Sequence, residues 1–355
     1  MKMLKSHRAG IARATVAAVV GMAAALNVLG QGASAVYDVE HTVAVRDLPA
    51  GAKTVKVWFW MPENDANQTT RSFTIDEAPE GYLIVREPTT GSRFLYAEAP
   101  VKEGEAVSFA TRFTVERREV SASIEPSKVG PITREHRAMY AEHLATDTPH
   151  MQVTAQVRTM ADQIVGSETN PYLQAKAIYH YVVDNSEHYS KGGGAPKSSG
   201  LGSAEYCINL GGGGCTDQHS LFIALARAKG IPTRIVFGSR LNMANEGKAY
   251  DPGYRCWVEY FVPNHGWVSM DAAAGDTVAG KKDFYQTGLD NARIRWAWGR
   301  NYDLGTGHRL NTLIGAYVEV DGKAHEGWDR RVTFKVAAPA QTENTNKQAG
   351  SDSAS

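Results

Sequence analysis

A change of hydrophobic period near residue 130 divides this 355-residue chain and limits what it can fold into. Before that point short runs alternate every second residue, as strands with one buried face do. Thr54 to Trp60 is the clearest, with Val55, Val57 and Phe59 on one side. Asp38 to Val45, Tyr82 to Val85, Phe94 to Ala97 and Val107 to Val115 show the same pattern, separated by turn signals at Ala50-Gly51, Pro62 to Asp65, Pro79 to Gly81 and Thr90 to Ser92. From about Arg134 the spacing becomes helical, over Arg134 to Leu144 and Met151 to Ile164. A third helix starts at Asn170-Pro171, an N-cap with proline next to it in the first helical position. These patterns predict an α+β chain whose antiparallel β-sandwich-like domain, over 36–125, precedes a mixed domain over 130–320.

Both ends lie outside that scheme. Lys2, Lys5, Arg8 and Arg13 precede an apolar run from Val16 to Leu29 and the small-residue triplet Ala33-Ser34-Ala35. This is the pattern of a signal peptide over 1–35, cleaved to leave Val36 at the start of a secreted or periplasmic protein. The apolar run is shorter than the ~20 residues a bilayer-spanning helix needs, and no later stretch is apolar enough for an integral membrane segment. The tail over 337–355 holds little that can be buried and is expected to be disordered. Lys plus Arg and Asp plus Glu number 38 each, and this neutral balance lacks the basic footprint of a nucleic-acid partner.

The chemistry concentrates in one segment. Gly211 to Gly214 lead into Cys215-Thr216-Asp217-Gln218-His219, and the helix begun there is stopped by Gly230 and Pro232. A cysteine at a helix N-terminus meets unpaired N–H groups and the positive end of the dipole, which favour thiolate and can hold a developing oxyanion. The glycines permit close approach by a substrate backbone. A phosphate loop is excluded because no Gly-Lys-Ser/Thr comes after it. A buried cysteine in an ordinary helix cap remains the competing reading. Asp217 is placed to bond N–H groups at the helix start. Two alternating segments come next, Thr233 to Leu241 and Tyr254 to Phe261, and a turn at Pro263 to Gly266 returns the chain through Trp267 to Asp271. The three cysteines, Cys207, Cys215 and Cys256, form neither a disulfide framework nor a metal site. If Cys215 stays a thiol, Cys207 and Cys256 are the available disulfide partners.

The order Gly-rich loop, Cys-Thr-Asp, Gly-Ile-Pro-Thr-Arg, Cys-Trp-Val-Glu and Gly-Trp-Val-x-x-Asp resembles the core of the transglutaminase-like superfamily, a papain-type thiol fold. Later stretches, Leu289 to Arg293 and Gly299 to Leu304, resemble the region beyond the aspartate in bacterial members, and the likeness spans roughly 170–305. The resemblance implies a Cys-His-Asp triad that attacks a carboxamide or peptide carbonyl; no cofactor is expected, and no stretch has the spacing of a zinc or calcium site. It makes Cys215 the nucleophile and Asp271 the orienting acid.

At the position of the family's histidine this chain has Arg255. Arginine stays protonated and can neither take nor return a proton. It can lower the Cys215 pKa by charge, or pair with Asp271 in a structural ion pair. His219, four residues after Cys215 on the same helix face, suits a supporting or packing role; His265 sits in the turn. Trp257 and Trp267 read as core or groove wall, Glu259 as a solvated or paired strand residue. The sequence thus predicts an exported protein with a degenerate triad that acts on or binds peptide and amide groups. Two alternatives stand beside it: an active amidase, peptidase or protein-glutamine acyltransferase using another base, and a non-enzymatic envelope module for a protein or peptide partner.

Overall fold

In the computed structural model, residues 32–101, 107–305, 309–312 and 315–337 are described. The expected signal segment before residue 32 and the expected tail after 337 lie outside them. The alternating runs become strands: β1 (Ser34–Val45), β2 (Thr54–Trp60), β3 (Gln68–Glu77), β4 (Leu83–Arg86), β5 (Arg93–Pro100) and β6 (Val107–Arg118). Sequence reading misses β3. Its exposed face is Thr, Arg, Ser and Asp, and its pairing with β6 slips at two bulges, so no clean alternation marks it.

Two antiparallel sheets form the sandwich. One runs Trp328–Ala337, β1, β6, β3; the other runs Lys323–Ala324, Ala316–Val320, β2, β5, β4. Val43, Val57, Phe59, Leu95, Phe109 and Val318 fill the space between them. Each is an inward position of a period-2 strand, and its full burial is worth on the order of 1.5–3 kcal/mol. The C-terminal strands were not foreseen. Trp328–Ala337 pairs along nearly the whole of β1, and Ala316–Val320 along β2, so the chain returns to finish the sheets it started. The ranges 36–125 and 130–320 therefore share sheets: Ala316–Val320 belongs to the first layer although it lies inside the second range. The expected cleavage junction falls within β1, where Ser34 and Ala35 already pair with Arg118 and Arg117.

The other half is a four-stranded antiparallel sheet, in the order Gly266–Met270, Arg255–Val262, Thr233–Arg240, Arg293–Trp298. The helix Cys215–Ala228 packs on it beneath the helices Ala155–Val165 and Pro171–Asn185. That central helix is wrapped on all sides, and every residue from Cys215 to Arg227 is buried. Its polar first turn is therefore inside the protein and must find partners there. The glycine- and serine-rich stretch 189–214 contains a further helix at Ala204–Leu210, capped by Ser203, whose hydroxyl accepts from Tyr206 N–H. Sheet and sandwich meet where Ile294 and Trp296 join Tyr37, Phe113 and Phe334 in one cluster.

Candidate active site

The approach to Cys215 is set by two glycines. Gly212 and Gly213 run parallel to Glu187 and His188, with His188 in register with Gly213. A Cβ at Gly212 would lie 2.3 Å from the Glu187 carbonyl oxygen, so only glycine lets these backbones meet. Gly213 has φ +146°, and a Cβ there would lie 2.5 Å from Asp217 Oδ2. The sequence suggested glycines that admit a substrate backbone; what comes close at these two is the protein's own chain.

Asp217 fastens the turn. Its Oδ2 accepts from Gly214 N–H at 2.7 Å and Ser199 N–H at 3.1 Å, and its Oδ1 accepts from Ser203 N–H at 2.7 Å and from the Ser199 hydroxyl. One buried carboxylate thus ties the start of the helix to the glycine- and serine-rich stretch in front of it.

Cys215 opens the helix beside a small cavity of about 110 Å³, whose walls include His188, Ser190, Cys256, Asp271 and Arg255. The Cys215 thiol is pulled well below its ordinary value. The main cause is a hydrogen bond with the Cys256 side chain. Burial opposes it, and a hydrogen bond with His188 together with the charges of the His219 and His188 rings reinforces it. Cys256 moves the opposite way, its thiol kept protonated by burial and by its neighbour. Cys207 is pushed up to about 12 by burial. All three cysteines are free thiols, so the Cys207–Cys256 pair is not bridged.

The strand Arg255–Val262 decides what faces the helix. Its two-residue repeat sends Cys256, Val258 and Tyr260 into the core around the helix and Trp257 into a separate cluster on the other face. Trp257 is fully buried between the guanidinium groups of Arg117 and Arg293 and is not a wall of the cavity. Arg255 begins the strand, exposed, and its guanidinium donates to the carbonyl of Tyr254 at 2.8 Å. It reaches the edge of the cavity but forms no ion pair with Asp271.

Asp271 has other partners. Its Oδ2 accepts from Arg293 Nη1 at 2.7 Å, and its Oδ1 accepts from Ala274 N–H at 2.8 Å and lies 3.3 Å from His219 Nε2. Burial alone would raise this carboxyl; the Arg293 guanidinium and the His219 ring hold it well below the usual carboxylate range. His219 is fully buried, with Nδ1 3.1 Å from Cys256 Sγ and Nε2 accepting from Ala272 N–H at 3.1 Å. It stands beside Cys256, one thiol removed from Cys215. Glu259 is paired, through Oε2 to Arg234 at 2.6 Å and through Oε1 to Arg295 at 3.0 Å. His265 stays in its turn, away from the cavity.

Two residues at the site escaped the sequence reading. Arg293, in a stretch matched only as a pattern, is the buried counter-ion of Asp271. His188 precedes a long glycine-rich stretch, and only the parallel pairing with Gly213 brings it to Cys215; no local period announces such a contact. Among the described residues no cluster of three or more His, Cys, Asp or Glu is arranged to hold a metal ion, and no helix is long and apolar enough to cross a membrane.

A family model described as the transglutaminase-like superfamily matches residues 158–272. An uncharacterised protein of Haemophilus influenzae is 27% identical over 249 residues, covering 64% of this chain and 66% of that protein. A protein-glutamine gamma-glutamyltransferase of Pseudomonas aeruginosa is 26% identical over 125 residues, 34% of this chain and 18% of the relative. The chain thus spans just under two thirds of the first relative and a small part of the second. A crystal structure of a Cytophaga hutchinsonii protein, described as a candidate cysteine protease, shares the fold with a TM-score of 0.60 at 16% identity, covering 88% of this chain and 93% of that one.

Proposed function

Since residues 158–272 form a transglutaminase-like superfamily domain, we propose that this protein carries out thiol acyl chemistry on protein or peptide amides, with Cys215 as the nucleophile. The observation that carries this reading is the state of Cys215: a thiol at the start of a 14-residue helix, beside a cavity, held toward thiolate by its neighbours. The thiolate attacks the amide carbonyl and the carbonyl electrons move onto oxygen. The N–H groups of Cys215 and Thr216, at the first two positions of the helix, are available to hold that oxygen. Collapse breaks the C–N bond, releases an amine or ammonia and leaves a thioester, which water or a second amine resolves. The relative named as a protein-glutamine gamma-glutamyltransferase supports glutamine side chains as the acyl source.

The triad departs from the family pattern, because Arg255 occupies the histidine position and Asp271 is held by Arg293 and His219. That departure supports a second reading, in which the cleft binds amide-bearing partners without turning them over. Incubation with β-casein and monodansylcadaverine separates the two. Dye incorporation or ammonia release that disappears in Cys215→Ser supports acyl chemistry. Rapid alkylation of Cys215 with no turnover supports binding, and turnover that persists in Cys215→Ser removes Cys215 from its role. The basic, apolar and Ala33-Ser34-Ala35 start supports export. Mass spectrometry of material from outside the cytoplasm is expected to find Val36 first; an intact Met1 would end that proposal.

A further inference from the structure

We propose that His188 is the proton acceptor and donor for Cys215, in place of the histidine absent at 255. The inference rests on Cys215 being the nucleophile. Of the imidazoles of His188, His219 and His265, two are unsuited to the role. His265 is in the remote turn. His219 has no free nitrogen: Ala272 N–H donates to Nε2, so the neutral ring carries its hydrogen on Nδ1 and presents it to the Cys256 sulfur. Its two faces are thus committed to a backbone amide and to another thiol.

His188 is placed differently. The ring lines the same cavity as Cys215, and its backbone is locked beside the glycine turn by the register with Gly213. Asp276 Oδ2 accepts the His188 backbone N–H at 2.8 Å, and Asp276 Oδ1 accepts from Lys191 Nζ at 2.8 Å, so the short strand is held from behind. Ser190 Oγ lies 2.7 Å from Nδ1. The Ser190 backbone N–H also reaches Nδ1, at 3.3 Å, so both Ser190 contacts fall on that nitrogen and Nε2 is the one left for the sulfur. To take the thiol proton at Nε2 the neutral ring must carry its hydrogen on Nδ1 and donate it to the Ser190 hydroxyl, giving up the longer bond from the Ser190 N–H. A hydrogen bond between His188 and Cys215 is among the causes of the low thiol pKa. Besides Cys215, the charged and titratable groups around the ring are Asp276 and Lys191 behind it and Cys256, Asp271, Arg293, Arg240 and Arg255 in the walls of the cavity.

The proton balance closes with this one residue. The Cys215 thiol proton passes to His188 Nε2 as the thiolate forms. When the C–N bond breaks, His188 returns that proton to the departing amine. It then takes a proton from the incoming water or amine, and the C–S bond breaks to release the thiolate.

The test is the pH profile of iodoacetamide alkylation at Cys215, read by peptide mass spectrometry, in the full protein. Wild type is expected to react readily below pH 8, on a curve with a low inflection from the thiolate–imidazolium pair. In His188→Gln that inflection should vanish, with alkylation at pH 6 slowed by about tenfold or more. Ser190→Ala, at an exposed position, should give a smaller loss in the same direction. NMR supplies an arm that leaves His188 intact: its ring signals should shift when Cys215→Ser removes the sulfur beside Nε2. An unchanged profile in both His188→Gln and Ser190→Ala, or His188 ring signals unmoved by Cys215→Ser, would overturn the proposal while leaving Cys215 as nucleophile. Loss of the inflection in His219→Gln but not in His188→Gln would overturn it in favour of a relay through Cys256. Absence of Cys215 alkylation in wild type at any pH would instead sink the nucleophile reading itself, and this inference with it.

Discussion

His219 Nδ1 lies 3.1 Å from the sulfur of Cys256, on the strand, rather than from that of Cys215 on its own helix. The helix makes the pairing possible, because a residue four positions on leans back toward the N-terminus, and the strand period turns Cys256 to meet it. This fixes the order of donors. The His219 N–H faces the Cys256 sulfur, and the Cys256 thiol bonds the Cys215 sulfur. Cys256 is therefore a donor that steadies a thiolate.

Cys256→Ala removes that donor. The thiol pKa of Cys215 is then expected to rise, since the first cause of its depression is lost, and the alkylation curve should move to higher pH. A hydrogen bond to a charged group is worth ~1.5–3 kcal/mol, which corresponds to about one to two pH units. A curve that stays in place would show that the two histidines suffice. The same proximity makes a second measurement specific. Diamide, which takes two electrons and two protons from a pair of thiols, is expected to join Cys215 to Cys256 and to spare Cys207; non-reducing peptide mapping that finds Cys207 in the bridge contradicts the arrangement.

The pair of Asp271 and Arg293 should be visible in stability. Both side chains are buried and bonded at 2.7 Å. Removing one partner leaves a buried charge alone, so Arg293→Met is expected to cost about 3–5 kcal/mol at neutral pH by urea unfolding. The sign of the pH dependence is fixed by the carboxyl. Its folded pKa lies below the unfolded value of about 3.9, so the stabilisation is fully present above that value and fades as pH falls below it. The difference between wild type and Arg293→Met should narrow in acid. A gap that is constant from neutral pH to the acid transition would mean that the ion pair is not its source.

Gly212 links fold and site. The 2.3 Å that would separate an alanine Cβ from the Glu187 carbonyl oxygen requires the two backbones to part. Gly212→Ala is expected to destabilise by about 1–3 kcal/mol and to slow Cys215 alkylation more than the stability loss explains, because His188 moves with Glu187. Unfolded protein is excluded by the melting curve, and rapid alkylation in a folded variant would separate His188 from the glycine turn.

The parts legible in the sequence are those set by period and punctuation. Thr54 to Trp60 and the helix from Asn170-Pro171 carry their signals locally, and both form within a residue of expectation. The Cys215 segment was legible because a glycine run, a thiol and two stops define one helix. Ala316–Val320 and Trp328–Ala337 were not, since nothing local ties a C-terminal strand to β1 or β2. The site divides the same way. Asp217 bonding the helix start is a short-range relation that sequence spacing suggests. The contacts of Asp271 with Arg293, and of His188 with Cys215, depend on long-range register. Arg255 was read by its place in the motif, whereas its surroundings depend on where the strand begins.

Arg255 supplies the last prediction. Its guanidinium is exposed and bonded to its neighbour's carbonyl, and the neighbours that lower the Cys215 thiol pKa are Cys256, His188 and His219 rather than Arg255. An exposed charge is screened by solvent and salt, over a Debye length of ~8–10 Å. Arg255→Ala is therefore expected to change the alkylation rate by less than about threefold, where a charge acting directly on the thiolate would slow it further. Arg255→His tests the position rather than the charge. Asp271 already has Arg293 and His219 as partners, so a new imidazole at 255 would lack its usual orienting acid. In a His188→Gln background it is still expected to recover part of the lost amide turnover, well short of the ~10²–10⁴ a positioned acid–base is worth. Full recovery would mean that Asp271 can leave Arg293 for the new ring. A large loss on Arg255→Ala, with His188→Gln unaffected, would return the arginine to the chemistry and make its charge the thing that holds the thiolate.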